Sequence, residues 1–235
     1  MSDTIDKIRI ELLGGADEKT KLSTERYFKE GIKLYGLKSA EVSRISKEHF
    51  KTLDDKRKPY IFTLCTELWK SGYLEESMIA CNWSFNVRKQ YEPDDFDVFE
   101  NWVNKNVSNW ATCDTLCNHT VGTFVEMYPV YLSRLKSWAS SSNRWVKRAS
   151  SVSLIVPARK GKFLNDIFEI ADILHSDTDD MVQKGYGWML KAASEAHQNE
   201  VFEYVMNRKV TMPRTSLRYA IEKMPQELKV RAMAK

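Results

Sequence analysis

Glycine and proline are scarce in this chain, at 9 and 6 of 235 residues. That scarcity excludes collagen-like and Pro/Gly low-complexity chains and argues against a many-turned β-sandwich. No apolar run approaches the ~18 residues that a membrane-spanning helix requires. The opening stretch, Met1 to Gly15, lacks the apolar segment of an export signal, so a cytoplasmic protein with no membrane partner is expected. There are four cysteines, Cys65, Cys81, Cys113 and Cys117, with no CxxC pair among them. Without an export signal they are expected as reduced thiols. Cys113, Cys117 and His119 lie close in sequence, but no fourth ligand is near, so they are better explained as core residues and no metal is expected. Phosphate-binding loops of the G-x-x-x-x-G-K-[ST] and G-x-G-x-x-G kinds are missing, as are the G-x-S-x-G elbow, H-E-x-x-H, and H-x-E with P-C-x-x-C. The four histidines, His49, His119, His175 and His197, are dispersed. No cofactor is called for, and any catalysis has to rest on carboxylate, Trp and Arg.

Hydrophobic residues make up 43% and charged residues 29%, a balance suited to a globular chain. The net charge of +4 permits a nucleic-acid partner without demanding one. Most of the chain reads as helix. Tyr27 to Leu37 carries apolar residues among charges. Ile61, Leu64, Cys65 and Leu68 follow helical spacing within Pro59 to Trp69, and Leu164, Ile167, Phe168, Ala171 and Leu174 do so within Phe163 to Leu174. Short polar breaks separate the runs: Lys70 to Gly72, Glu92 to Asp94, Tyr128-Pro129, Ser140 to Asn143, His175 to Asp177 and Met212-Pro213. Several put Ser, Asp or Asn just ahead of an apolar run, where a helix needs a cap. Val152 to Val156 is the best candidate for a strand, and it is short.

A repeat underlies the spacing. Met78 to Cys81, Trp110 to Cys113, Val146 to Ala149, Val182 to Gly185 and Leu217 to Ala220 each begin with a large apolar residue and end, three later, with a small one. Successive offsets are 32, 36, 36 and 35 residues. Stacked helical hairpins have this pattern, because each buries its apolar face against the next and small residues admit the neighbour. The expected fold is therefore an all-α solenoid, with a plain helical bundle as the alternative. In a solenoid, Arg148 and Lys184 occupy equivalent positions one repeat apart, and spaced cations of this kind could track a phosphate backbone or an acidic peptide.

Some residues could carry chemistry. Trp110 and Asp114 share a helix face if the segment is helical. Asp114 lies between apolar neighbours, where a carboxylate is costly unless it is paired or used. Capping or an ion pair would account for it as simply as catalysis. Arg148 follows Trp145 by three, and a structural ion pair, even with Asp114, is its alternative role. Two helical glycines before Trp188, at ~1 kcal/mol each, point to close packing or to close approach of a ligand. A set of carboxylate, indole and guanidinium suits a cationic transition state.

From Arg26 to Ala220 the chain resembles the AlkD-like DNA alkylation repair family, the alkylpurine DNA glycosylases built of HEAT repeats. The carriers are Arg26-Tyr27-Phe28-Lys29, Tyr35-Gly36-Leu37, Glu67-Leu68-Trp69, Trp110-Ala111-Thr112-Cys113-Asp114, Asn143-Arg144-Trp145-Val146-Lys147-Arg148-Ala149 and Lys184-Gly185-Tyr186-Gly187-Trp188-Met189-Leu190. The resemblance implies a fold of HEAT-like repeats with a concave cationic face, and a single such domain is expected over residues 1–235. Residues 1–20 lie outside the match, and the break at Gly14 to Asp17 suggests a leading helix and loop there. It implies hydrolysis of the N-glycosidic bond of N3- or N7-alkylated purines in double-stranded DNA by a monomer. The family's catalytic carboxylate falls on Asp114, its cleft tryptophans on Trp110 and Trp188, and its DNA-contacting arginine on Arg148. Tyr27 and Lys38 are the matching DNA-facing residues near the start, and Arg144, Lys147, Lys184, Lys191 and Arg214 complete the expected DNA-binding set. Lys38 departs from the neutral amide expected there, and Asn109 replaces a second aromatic that can precede the cleft Trp. The resemblance also implies a grip on the backbone that leaves the base stacked or exposed. A non-catalytic binder of distorted or branched DNA is the alternative, and a protein-binding scaffold a further one.

Overall fold

The structure, a computed structural model, describes residues 2–234. Among the described residues the regular structure is helical: α1 (Ser2–Gly14), α2 (Glu18–Glu25), α3 (Ser39–Thr52), α4 (Lys58–Lys70), α5 (Leu74–Asn86), α6 (Asp95–Lys105), α7 (Trp110–Thr115), α8 (Gly122–Met127), α9 (Leu132–Ala139), α10 (Arg144–Val152), α11 (Ile155–Arg159), α12 (Leu164–Leu174), α13 (Asp180–Ala193), α14 (Gln198–Arg208), α15 (Arg214–Ala220) and α16 (Gln226–Met233). By its internal contacts the chain forms two compact units, residues 1–115 and 116–235. The α-turns of α7 end at this boundary, and a π-helical segment, Leu116–Val121, follows.

In the first unit α1 buries Ile5, Ile8 and Leu12, spaced three and four apart, against α3 and α4. The leading segment is thus a core element. α4 and α5 pack as a pair. Phe62, Tyr91, Phe99 and Trp102 form an aromatic cluster with ring centroids 5.1–6.3 Å apart, mostly edge to face. Buried indoles find acceptors: Trp83 Nε1 donates to the Ser46 carbonyl at 2.9 Å and Trp102 Nε1 to Thr66 Oγ1 at 3.1 Å.

Tyr27 to Leu37 is not the helix its composition suggests. It is an extended loop whose only ladder contact is an isolated bridge between Lys33 and Tyr73. Gly36 shows why. Its φ is +100°, and a Cβ there would stand 2.5 Å from the Asp17 carbonyl oxygen. The Glu75 carboxylate accepts from the backbone N–H groups of Tyr35, Gly36 and Leu37 at 3.0, 2.8 and 3.2 Å. A helix would have used those donors internally. Next to it, fully buried Glu76 accepts from Arg9 through Nε at 3.1 Å and Nη2 at 3.0 Å, and from the Tyr35 hydroxyl at 2.8 Å. Burial and this carboxylate raise the Tyr35 phenol well above its ordinary pKa.

In the second unit helices pair in sequence order: α9 with α10, α12 with α13, and α14 with α15 and α16. The partners α10, α13 and α15 also pack on one another. These are the helices the repeat offsets superpose, and Val146, Ala149, Val182, Gly185, Leu217 and Ala220 are all buried. Asn143 caps α10 through Trp145 N, and Asp179 caps α13 through Met181 N and Val182 N. Val152 to Val156 is not a strand: α10 ends there and α11 begins. All four cysteines are buried, and Cys65 donates to the Ala80 carbonyl at 3.4 Å.

The Gly-Tyr-Gly run sets the spacing of this layer. A Cβ on Gly185 would lie 2.9 Å from Ser151 Oγ and 3.3 Å from Arg148 Cγ, on the α10 side. One on Gly187 would lie 2.8 Å from Tyr219 Cβ and 2.9 Å from the Ser216 carbonyl, on the α15 side. Tyr186 between them is fully buried, and burial pushes its phenol up to about 12. Gly187→Ala gains ~1 kcal/mol of helix propensity but forces α15 outward at a cost of ~1–3 kcal/mol or more. The clash is against backbone, so we expect a net fall in the thermal midpoint of roughly 2–4 °C per kcal/mol lost. Gly14→Ala, which meets nothing within 4 Å, serves as the control and leaves the midpoint unchanged or raised. Equal midpoints for wild type and Gly187→Ala in a thermal melt would remove the packing role of Gly187.

Candidate nucleic-acid interface

The first unit gathers three of the expected residues around one cavity of about 540 Å³. Tyr27, Lys38 and Trp110 line it, with Phe28, Asn82 and Glu75. Asn109 is why Trp110 sits at the head of its helix. Its side chain accepts from Thr112 N at 3.0 Å, an N-cap that an aromatic at this position would not supply. Trp110 then stacks on Phe28, with centroids 5.3 Å apart and planes 12° from parallel, and its Nε1 donates to the Tyr27 carbonyl at 3.1 Å. The chain just after α2 is thereby tied to α7. Tyr27 itself is 70% exposed, and Lys38 is exposed at the start of α3. Asp114 follows Trp110 by one turn on α7 and is half-buried.

The second unit carries the remaining cations on the layer α10, α13 and α15. On α13, Lys184, Trp188 and Lys191 are spaced four and three apart and are all half-buried, so they form one accessible stripe. On α10, Arg144 and Lys147 lie on the accessible edge. Arg148 is placed differently. It is 5% exposed, and its Nη1 donates to the Met181 carbonyl. The room for it comes from Gly185, whose missing side chain leaves space beside Arg148 Cγ and Nη1. The structure does not present Arg148 on the surface. Arg214 is exposed at the first position of α15.

Most of these cations are paired. Arg144 Nη2 donates to Asp179 Oδ1 at 3.0 Å, Lys184 to Asp180 at 2.6 Å and Lys191 to Glu222 at 2.9 Å, while Lys147 contacts Asp177. Lys191 also lies over the Tyr219 ring at 5.4 Å. Residues 116–235 carry 18 cations against 12 carboxylates, whereas residues 1–115 carry 18 against 20. The positive charge of the chain therefore resides in the second unit, and part of its helical face is screened locally. These carboxylates, together with Glu75 and Glu76, are the residues that sequence reasoning did not single out, and it did not foresee the capping role of Asn109. Only the adjacent glutamates of an otherwise apolar α5 gave a signal. Among the described residues no group of three or more His, Cys, Asp or Glu is placed to hold a metal, and no helix is long and apolar enough to cross a membrane.

A layer of stacked helical pairs that presents an indole and cations along neighbouring helices defines an all-α repeat-type architecture. The family model described as DNA alkylation repair enzyme matches residues 8–224, and the chain belongs to that family. Its role is in DNA repair, with DNA as substrate. A solved structure described as a predicted DNA alkylation repair enzyme from Enterococcus faecalis superposes with a TM-score of 0.78 at 15% identity, covering 90% of this chain and 97% of its own. At that identity the likeness shows the fold. No curated protein matches the chain.

The ion pairs lead to a test. Asp177→Asn keeps an acceptor for Asp179 N and releases Lys147. If the α10 edge meets phosphate, the variant binds duplex DNA several-fold tighter at low salt. Its plot of log affinity against log salt steepens by about one phosphate contact, a slope change of roughly 0.9. An unchanged affinity and slope by fluorescence anisotropy would place Lys147 outside the contact.

Proposed function

We propose that the chain is a DNA glycosylase that hydrolyses the N-glycosidic bond of cationic N3- or N7-alkylated purines in duplex DNA. The observation that carries this reading is the placement of Trp110 in the wall of an aromatic-lined cavity, with Asp114 one turn further along the same helix. Membership of the DNA alkylation repair family supports it.

An alkylated purine already carries positive charge, so it is a good leaving group without a general acid. As its bond to C1′ breaks, the electron pair moves onto the ring and neutralises it. Positive charge appears on the deoxyribose. The Asp114 carboxylate opposes that charge and orients a water that attacks C1′, whose proton passes to the carboxylate or to solvent. The face of Trp110, on the same helix as Asp114, adds cation–π stabilisation of about 0.5–2 kcal/mol, and Trp188 offers an indole face of the same kind on α13. In the second unit Arg144, Lys147, Lys184, Lys191 and Arg214 are the groups that hold phosphates, and in the first unit Tyr27 and Lys38 are the DNA-facing ones. Arg148, buried as it is, contributes by fixing α13 against α10, and it reaches a phosphate only if the α10 edge meets the backbone closely.

The test is base release from duplex DNA carrying 7-methylguanine or 3-methyladenine. Asp114→Asn is expected to lose at least about 10²–10³-fold in release while keeping its DNA affinity. Equal release by both proteins would remove Asp114 from the chemistry. No release by the wild type, with salt-dependent binding to distorted or branched duplexes intact, would replace the enzyme reading with that of a non-catalytic DNA binder.

A further inference from the structure

Resting on that reading, we infer that α15 and the turn after it carry a separate phosphate-binding site, centred on Arg218 and Lys223, which holds duplex DNA beyond the stretch met by α10 and α13. The charge of the second unit is concentrated here. Residues 116–207 carry 10 cations and 10 carboxylates, whereas residues 208–235 carry 8 and 2. Three of those eight cations work inside the fold. Arg208 holds Asp172 through Nε and Nη2 and lies over the Tyr204 ring. Lys209 Nζ donates to the Arg231 and Ala234 carbonyls at 3.2 and 2.8 Å, and the Arg231 guanidinium lies over the Phe202 ring at 4.9 Å. These contacts pin α16 onto α14. Arg214, Arg218 and Lys223 are exposed, and none of them pairs with a carboxylate among the described residues.

The repeat places these cations. Gly185 of α13 faces α10 and Gly187 faces α15, so α13 stands between the two. Offsets of 36 and 35 residues carry Lys147 through Gln183 to Arg218, and an offset of 35 carries Trp188 to Lys223. Arg218 therefore continues the accessible edge of α10 two helices further on. The residue between them is neutral, and Gln183 Nε2 donates to the Asp177 carbonyl at 2.9 Å. Neighbouring helix axes lie ~8–10 Å apart. Arg218 then stands ~16–20 Å from Lys147, about five or six base pairs of duplex. The two positions differ in charge state. Arg144, Lys147, Lys184 and Lys191 each hold a carboxylate, which an arriving phosphate has to displace. An unpaired cation has nothing to give up, and it gains from the counterions that its phosphate releases. Recurrence at the repeat spacing suits a uniformly charged polymer better than the irregular side chains of an acidic peptide.

The test is fluorescence anisotropy over a salt series, with a hydroxyl-radical footprint on a duplex carrying one central 7-methylguanine. Wild type is compared with Arg218→Gln/Lys223→Gln. Lys89→Gln/Lys105→Gln is the control, because it removes the same charge from exposed sites of the first unit. Circular dichroism checks each fold. The Arg218/Lys223 variant is expected to bind at least about tenfold more weakly at physiological salt, with the slope of log affinity against log salt shallower by roughly 1.8. Its footprint recedes at one end alone. The control keeps the wild-type slope and footprint, and Arg218→Lys, which retains the charge, keeps the slope. An unchanged slope and footprint in the Arg218/Lys223 variant would overturn the site, as would an equal loss in the control. Lost binding to polyglutamate with duplex binding intact would make the surface one for an acidic protein and also overturn it. Base release by a wild type whose Arg218/Lys223 variant binds DNA equally well sinks this site and leaves the glycosylase reading standing. The expected losses in a protein that releases no base would do the reverse.

Discussion

Helix α13 can lie against α10 and α15 at once only because two of its residues have no side chain. Gly185 faces Ser151 and Arg148 on one side, and Gly187 faces Ser216 and Tyr219 on the other. Helices of 7 to 14 residues gain little stability alone. Their apolar faces have to be buried against neighbours, and the depth of that burial depends on how closely the axes approach. The same approach determines which functional groups remain accessible. It encloses Arg148 and leaves Lys184, Trp188 and Lys191 half-buried along one stripe of α13.

The first unit solves a different problem with buried charge. A loop of a dozen residues between α2 and α3 has backbone donors with no helix to use them. Glu75 takes three of those donors, and Glu76 holds Arg9 and Tyr35. Buried carboxylates are costly when unpaired and tolerable when their lone pairs are satisfied. Here they hold the loop that begins at Tyr27 and ends at Lys38, and so shape the cavity in which Trp110 stands. The residues that hold the loop also shape the cavity, which is how a wall can be built from a segment with no regular structure.

Much of the helical order was legible from local signals. The breaks at Lys70 to Gly72, Ser140 to Asn143 and His175 to Asp177 all fall between helices, and Asn143 caps as its position demands. The repeat offsets picked out α5, α7, α10, α13 and α15 because small residues recur where helices touch. Tyr27 to Leu37 misled, since its apolar spacing resembles a helix while Gly31 and Gly36 adopt positive φ. Tyr27, Lys38 and Trp110, far apart in the sequence, line one cavity that no local spacing announces. The burial of Arg148 was equally illegible, because it depends on a glycine 37 positions away on another helix.

By itself the sequence determined the helical class, the capped boundaries, the small-residue contact points and the family. Each of these rests on periodicity or hydrogen bonding within a few residues, which local order preserves. Only the tertiary structure decided which cations are neutralised, since Asp177, Asp179 and Glu222 reach their partners from 30 to 35 residues away. It also decided that a carboxylate 38 to 40 residues distant would hold the Tyr35–Leu37 backbone, and that a cavity would open beside Trp110. Ion pairs and cavities belong to surfaces that meet only on folding. Their energies depend on distance and burial, which no spacing along the chain encodes.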